Sequence, residues 1–183
     1  DNAVRIWIGG NLMADQNSMD PGESVTFSVV LAKGYHHLRV NYMHGASGTP
    51  KLDLTVSGPG LSGGAIPGTS LFREATWTYA DDPYFLSTSS LGLEYRYYQG
   101  AWTKLPNFDS LTPIRTGLTQ SVTTNSVGSR SSKDFGIVFE GYVTVPKLAS
   151  YTFYLASSDG SRLVLDGTPL INNDKLHSLK QVS

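Results

Sequence analysis

Apolar and polar residues alternate with a period of two along most of the chain. In Phe135-Gly-Ile137-Val-Phe139-Glu-Gly-Tyr-Val143-Thr-Val145 the odd positions are nearly all apolar. Successive side chains of a strand point to opposite faces, so this segment lays one continuous apolar face on a core. Tyr151, Phe153 and Leu155 repeat the pattern after a turn at Pro146 to Ser150. Earlier, Val25, Phe27, Val29 and Leu31 alternate with Ser24, Thr26 and Ser28. His36, Leu38, Val40 and Tyr42 alternate with His37, Arg39 and Asn41, and Leu52, Leu54 and Val56 with charged or polar residues. Helical periodicity is almost absent. Short strands separated by Gly, Pro, Asn and Asp clusters predict an all-β fold, an antiparallel sandwich or barrel.

The pattern divides the chain into three zones. Residues 1–73 are strand-rich and close on Gly58-Pro59-Gly60 and Ile66-Pro67. Residues 74–90 are polar and turn-rich around Pro83 and read as a linker. Their aromatic residues Trp77, Tyr79, Tyr84 and Phe85 are expected to pack across a domain junction. Residues 91–183 are strand-rich again, interrupted by a Ser-, Thr-, Gly- and Asn-rich run from Thr116 to Asp134 that reads as a mobile or binding loop.

Composition narrows the classes of function. Of 183 residues, 39% are hydrophobic, enough for a real core. The net charge is −1 and the Lys and Arg are scattered, which argues against nucleic acid and against charge-driven membrane binding. The absence of cysteine excludes disulfides, thiol catalysis and thiolate metal sites in this stretch. No apolar run approaches the roughly 20 residues that span a bilayer, so no membrane insertion is expected. No signal-peptide pattern opens the chain, and no Asn-x-Ser/Thr sequon occurs. Nor is there a Gly-x-Ser-x-Gly elbow, a His-Glu-x-x-His pair or a Gly-rich phosphate loop. The few Glu residues (Glu23, Glu74, Glu94, Glu140) nominate no pair of carboxylates facing across a cleft. An enzyme is not expected.

An internal repeat is more informative. Asp1-Asn-Ala-Val-Arg-Ile-Trp-Ile-Gly-Gly10 matches Ser158-Asp-Gly-Ser-Arg-Leu-Val-Leu-Asp-Gly167 in type, with Arg5 on Arg162, Ile6 on Leu163, Ile8 on Leu165 and Gly10 on Gly167. Residue 1 falls on residue 158, an offset of 157 and thus one domain's length. The front zone therefore reads as the second half of one unit and the back zone as the first half of the next.

The chain resembles the protective-antigen-fourteen (PA-fourteen) domain family. In the back zone the likeness is carried by Gly92-Leu-Glu-Tyr-Arg-Tyr-Tyr98, Gly100-Ala-Trp102, Leu105-Pro-Asn-Phe108 and Phe139-Glu-Gly-Tyr-Val-Thr-Val-Pro146. It continues through Tyr151-Thr-Phe-Tyr-Leu155, Asp159-Gly-Ser-Arg-Leu163 and Asp166-Gly167. Gly34-Tyr-His-His-Leu-Arg-Val-Asn-Tyr42 and Ser57-Gly-Pro-Gly60 look like the family's C-terminal strands, so the halves stand in permuted order. The resemblance implies an antiparallel β-sandwich in a secreted or cell-surface protein. It also implies, for some members, glycan binding through calcium held by an Asp-Asp pair.

Those two positions correspond here to Ser158-Asp159 and Asp1-Asn2, each keeping one carboxylate; Asp166, Asn172, Asn173 and Asp174 lie close enough in sequence to add oxygens. The competing reading is that Asp159-Gly160 and Asp166-Gly167 are tight-turn residues. Tyr98 and Trp102, with Tyr95 and Tyr97, are candidates for a glycan platform or for core packing. His36 and His37 point to opposite faces and do not chelate one ion, while His44 and His177 read as isolated.

The expected function is a non-catalytic structural or adhesive repeat module assembling head-to-tail with copies of itself, up to a fibre. The alternatives are a calcium-assisted glycan-binding module and an accessory domain of a glycoside hydrolase. A sandwich half leaves its apolar face bare, so each half must be completed within the chain or by another copy. The duplicated segments favour completion between chains, or a longer chain from which these residues are a cut-out piece.

Overall fold

The computed structural model describes residues 4–8, 11–16, 26–73, 91–174 and 180–181. Of these, 4–8, 11–16, 173 and 180–181 are described by their backbone alone. The linker zone and its aromatic residues, Asp1, Asn2 and His177 lie outside the described residues.

The front of the chain supplies β1 (Val4–Ile8), β2 (Asn11–Gln16), β3 (Thr26–Leu31), β4 (Gly34–His44), β5 (Leu52–Gly58), β6 (Leu61–Ala65) and β7 (Leu71–Phe72). The back supplies β8 (Leu93–Gln99), β9 (Arg115–Thr119), β10 (Phe135–Val145) and β11 (Ala149–Ser157), then β12 (Ser161–Leu165), β13 (Thr168–Asn173) and β14 (Lys180–Gln181).

Two antiparallel sheets form a sandwich. The 7-stranded sheet runs β13-β12-β4-β10-β8-β9, with β7 also on β10. The 5-stranded sheet runs β14-β11-β5-β6, with β3 also on β11. β1 and β2 make a separate 2-stranded sheet lying alongside β13.

Period-two alternation places the core between the sheets. Leu38, Val40 and Tyr42 on β4, with Ile137, Phe139 and Val143 on β10, meet Phe27 and Val29 on β3, Leu54 and Val56 on β5, and Tyr151, Phe153 and Leu155 on β11. The joint between front and back is the longest strand pairing among the described residues. β4 and β10 run antiparallel over their full lengths, from Gly34 opposite Val145 to His44 opposite Phe135. In the other sheet β11 is flanked by β3 and β5, both from the front. Each sheet therefore draws on both halves. Within this chain, complementary faces on β4, β10 and β11 close the two sheets against each other. The duplicate, β1–β2, stands outside the two sheets.

The run from Thr116 to Asp134 differs from its expected loop character. It carries most of β9 and a 3₁₀ turn over Thr124–Val127, and buries Val122 and Val127 in the core. Polar side chains are used here as fasteners. The Arg115 guanidinium lies 5.0 Å from the Tyr97 ring centre and donates to Val127 O at 2.9 Å, while Ser131 N donates to Tyr97 Oη at 2.9 Å. Arg130 Nε donates to Thr124 O at 3.0 Å.

Candidate functional site

The turn joining β11 to β12 holds the residues singled out for an ion or a sugar, and its polar atoms are tied into the fold. Ser158 N donates to Lys51 O at 2.9 Å and Ser158 Oγ accepts from Lys51 N at 2.9 Å, locking the turn to the start of β5. Tyr42 Oη lies 3.2 Å from the same hydroxyl oxygen. Burial pushes the Tyr42 phenol far above its usual range, the Ser158 bond offsetting only part of that. Asp159 adopts a left-handed conformation, φ 73°, and is 5% exposed. Its Oδ2 accepts from Gly45 N at 3.1 Å and stands 2.6 Å from His44 Nδ1.

His44 is the partner that sequence reasoning missed, having been read as isolated. The signal was present. His44 continues the even register of Leu38, Val40 and Tyr42, so it faces inward, and an inward imidazole requires a buried acceptor. The ring is fully buried against Phe135, centroids 5.5 Å apart; Nδ1 lies close to Asp159 Oδ2 without hydrogen-bond geometry, and Nε2 has no hydrogen-bond partner among the described residues.

Asp166 and Gly167 form the β12–β13 turn with φ of 47° and 76°, the left-handed pair of a tight hairpin. The carboxylate has a second task. Oδ2 lies 2.7 Å from His36 Nδ1 and Oδ1 accepts from His37 N at 2.7 Å, pinning the hairpin to β4. His36 Nε2 faces Ala32 O at 2.9 Å. Both ring nitrogens thus face acceptors, which favours the imidazolium. The Asp166 bond is the main cause that raises His36 above its ordinary value, against the opposing effect of burial. For Asp166, burial would raise the carboxyl, but the His36 bond and charge and the His37 amide outweigh it and hold it low. His36 and His37 diverge as expected, for His37 turns to the other face, with Nε2 3.5 Å from Glu140 Oε1.

Of the remaining proposed oxygens, Asn172 Oδ1 accepts from Arg162 Nε at 3.2 Å. Asp174 is engaged by Leu105 N and lies 3.5 Å from Arg162 Nη2. Asn173 contributes backbone pairing with Ser161. The structure brings Ser158 and Asp159 together but leaves Asp166 at the far end of β12. Among the described residues no three His, Asp or Glu side chains converge as metal ligands would.

Tyr98 and Trp102 lie on the outer face of the large sheet, where a second apolar cluster of Met43, Tyr98, Leu105, Phe108 and Val138 is packed by Trp102. Tyr98 is 3% exposed, with its ring centre 4.9 Å from that of Phe108. Its face is committed to packing. Gly136 lies beneath this strap, where a Cβ would come within 2.5 Å of the Phe108 ring. Beside it, Glu140 is bonded to Arg96 and lies 3.7 Å from Arg39, which donates to Asp109 at 2.6 Å. The Arg39 bond holds the Asp109 carboxyl below its usual range against a smaller opposing effect of burial.

A cleft of about 420 Å³ opens where β5, β11 and the Ser121–Thr123 segment meet. Lys51, Asp53, Thr123 and Tyr154 line it with apolar Ile66, Val122 and Leu155. The sequence did not mark it, because its residues come from segments separated by some hundred positions, from Lys51 to Ala156.

The described residues form an antiparallel β-sandwich with a cleft of mixed polar and apolar lining, and the carboxylates at Asp109, Glu140, Asp159, Asp166 and Asp174 are held by protein partners. The chain belongs to the PA14 domain family, whose model matches residues 89–183, the strands from β8 onward. Members of this family are carbohydrate-binding and adhesive modules and commonly occur in extracellular proteins. No curated protein and no solved structure shows a significant match to the chain. No helix among the described residues is long and apolar enough to cross a membrane.

Proposed function

We propose that the chain is a non-catalytic structural and adhesive module of a secreted or cell-surface protein, present in repeated copies that join to one another. The observation that carries this is the duplicated hairpin. β1–β2 and β12–β13 have the same lengths and turn position, with residue 4 mapping to 161 and residue 16 to 173. Their cross-strand registers coincide pair for pair, Val4 opposite Gln16 and Ser161 opposite Asn173. Even the register shift recurs, between Ile6 and Trp7 in one and between Leu163 and Val164 in the other. A strand pair reproduced down to its bulge is a duplicated segment, as expected of a repeat protein. The binding-module character of the family supports a non-catalytic role. Beads coated with the chain should clump together without added ligand; beads that stay dispersed at every coating density would count against adhesion between copies.

The cleft supports a second reading, a glycan-binding module. Tyr154 offers a ring and Lys51, Asp53 and Thr123 offer polar groups for hydroxyls, the mixture typical of small-ligand sites. In its calcium-assisted form the ion sits by Ser158 and Asp159, which adjoin the rim through Lys51, and Asp159 exchanges His44 for the ion. Glycan-array binding lost in Tyr154→Ala supports the cleft, and its further loss on chelation supports calcium. An array blank at high protein concentration removes this reading.

A further inference from the structure

The duplication extends to both ends of the described chain, and one of the two copies occupies the edge of β4. β12 pairs with β4, Leu163 opposite Val40 and Leu165 opposite Leu38, and completes that side of the large sheet. β11 tells the same story in the other sheet. β3 lies on β11 with Tyr154 opposite Thr26 and Ala149 opposite Leu31. β14 lies on the same side with Ala156 opposite Gln181 and Ser157 opposite Lys180. Shifted back by the repeat length, Gln181 and Lys180 become Ser24 and Glu23, the residues that the β3 register would bring opposite Ala156 and Ser157. The run β12–β13–β14 therefore sits on the sandwich as the run β1–β2–β3 is built to sit.

We propose that the outer edge of β4 is a seat with two rival occupants in each chain, and that when β1–β2 fills it the displaced arm, residues 158–181, seats on the β4 edge of a second copy of the chain. The inference deepens the repeat-module reading and rests on it.

Three observations support the exchange. The first is fit. Ile6 and Ile8 fall on Leu163 and Leu165, and Met13 on Leu170, all three back-zone residues being buried in the core. Arg5 falls opposite Asp15 as Arg162 falls opposite Asn172. At Ala3 on Gly160 a Cβ would lie 3.0 Å from Met43 Cε, the movable end of a flexible side chain. The second is what holds the seat in the closed chain. Asp166 binds His36 and the His37 amide, and Asp159 binds the Gly45 amide beside His44. Gly9 and Asn2 stand at the matching positions of the rival, so the resident hairpin wins through two carboxylates rather than through geometry. The third is what an open arm exposes. Leu163, Leu165, Leu170 and Ile171 are at most 3% exposed when seated, and an apolar hairpin face released from one β4 edge is covered best by another.

The chain has no cysteine, so single introduced cysteines report the exchange cleanly. Val164 and Arg39 face each other across β12 and β4. Chains carrying Val164→Cys are mixed with chains carrying Arg39→Cys and oxidised mildly, and linked peptides are identified by mass spectrometry. The proposal expects a disulfide-linked heterodimer. It also expects more of it when both chains carry Asp166→Gly, and its loss when both carry Ile6→Asp and Ile8→Asp, which lie outside the sandwich sheets. A yield no greater than that of Val164→Cys mixed with Val30→Cys, an exposed control position, overturns the proposal. So does a heterodimer indifferent to the Ile6 and Ile8 changes, since a simple swap of front and back halves would behave that way. Beads that clump while no heterodimer forms leave the adhesive reading standing and remove only the exchange; a heterodimer without clumping keeps the joining of repeated copies and removes only adhesion between coated surfaces.

Discussion

Asp159 and His44 are the residues on which most local structure converges. An imidazole with no exposure is tolerated because a carboxylate 2.6 Å away and a backbone amide share its surroundings. Removing one partner of such a pair costs the desolvation of the group left behind. Asp159→Ala is expected to lower stability by about 2–4 kcal/mol in urea unfolding, and Asp159→Asn, which keeps an acceptor oxygen, by clearly less. Equal losses would mean that the acceptor is not what matters.

The Asp166–His36 pair makes a pH-dependent contribution whose sign follows from the two shifts. The His36 value is raised from 6.5, so its contribution is whole below 6.5 and fades as pH rises through the folded value. The Asp166 value is lowered from 3.8, so its contribution is whole above 3.8 and fades as acid protonates the carboxylate. The melting-temperature difference between the parent chain and Asp166→Asn should therefore be largest from pH 3.8 to 6.5 and shrink above it. It should not vanish, because the charged carboxylate accepts the His37 amide bond more strongly than the Asn oxygen does. A difference flat in pH would rule out the coupling.

Among the elements, β10 organises the sandwich. It pairs along its whole length with β4 on one side and with β8 and then β7 on the other. Both faces of its first half are covered, by the core at Ile137 and Phe139 and by the strap at Gly136 and Val138. Gly136→Ala forces a Cβ into Phe108 and should cost about 1–3 kcal/mol by overpacking. Phe139→Ala leaves a cavity between the sheets and should cost about 3–5 kcal/mol. Both are read from the shift of the denaturation midpoint. β10 was legible in the sequence because one face must stay apolar over eleven residues, and alternation records that directly. β9 was not legible. It is an edge strand in which only Thr119 is buried and Leu118 is 57% exposed, so no apolar face marks it, and its pairing with β8 is set by backbone bonds. Tyr98 shows the same limit. Alternation places it opposite Tyr95 and Tyr97, and only the strap through Phe108 reveals that the outward face is covered.

For the whole molecule, the interleaving of front and back strands means that neither half has a core of its own. Residues 1–73 and 91–183 made separately should each lack cooperative unfolding, and together should recover the β-sheet circular dichroism and the single transition of the intact chain. A half that melts cooperatively alone would show that the sheets are less interdependent than their order implies. Local pattern is enough for the all-β class, the inward faces of β3, β4, β5, β10 and β11, the divergence of His36 and His37, and the offset that relates the two hairpins. These follow from local periodicity, from adjacent positions on a strand and from self-similarity, none of which needs a partner in space. Packing in three dimensions sets which strands complete which, brings His44 to Asp159 and Asp166 to His36, and opens the cleft between β5 and β11. Those contacts join residues up to 130 positions apart, and no local pattern encodes a distance that chain closure alone creates.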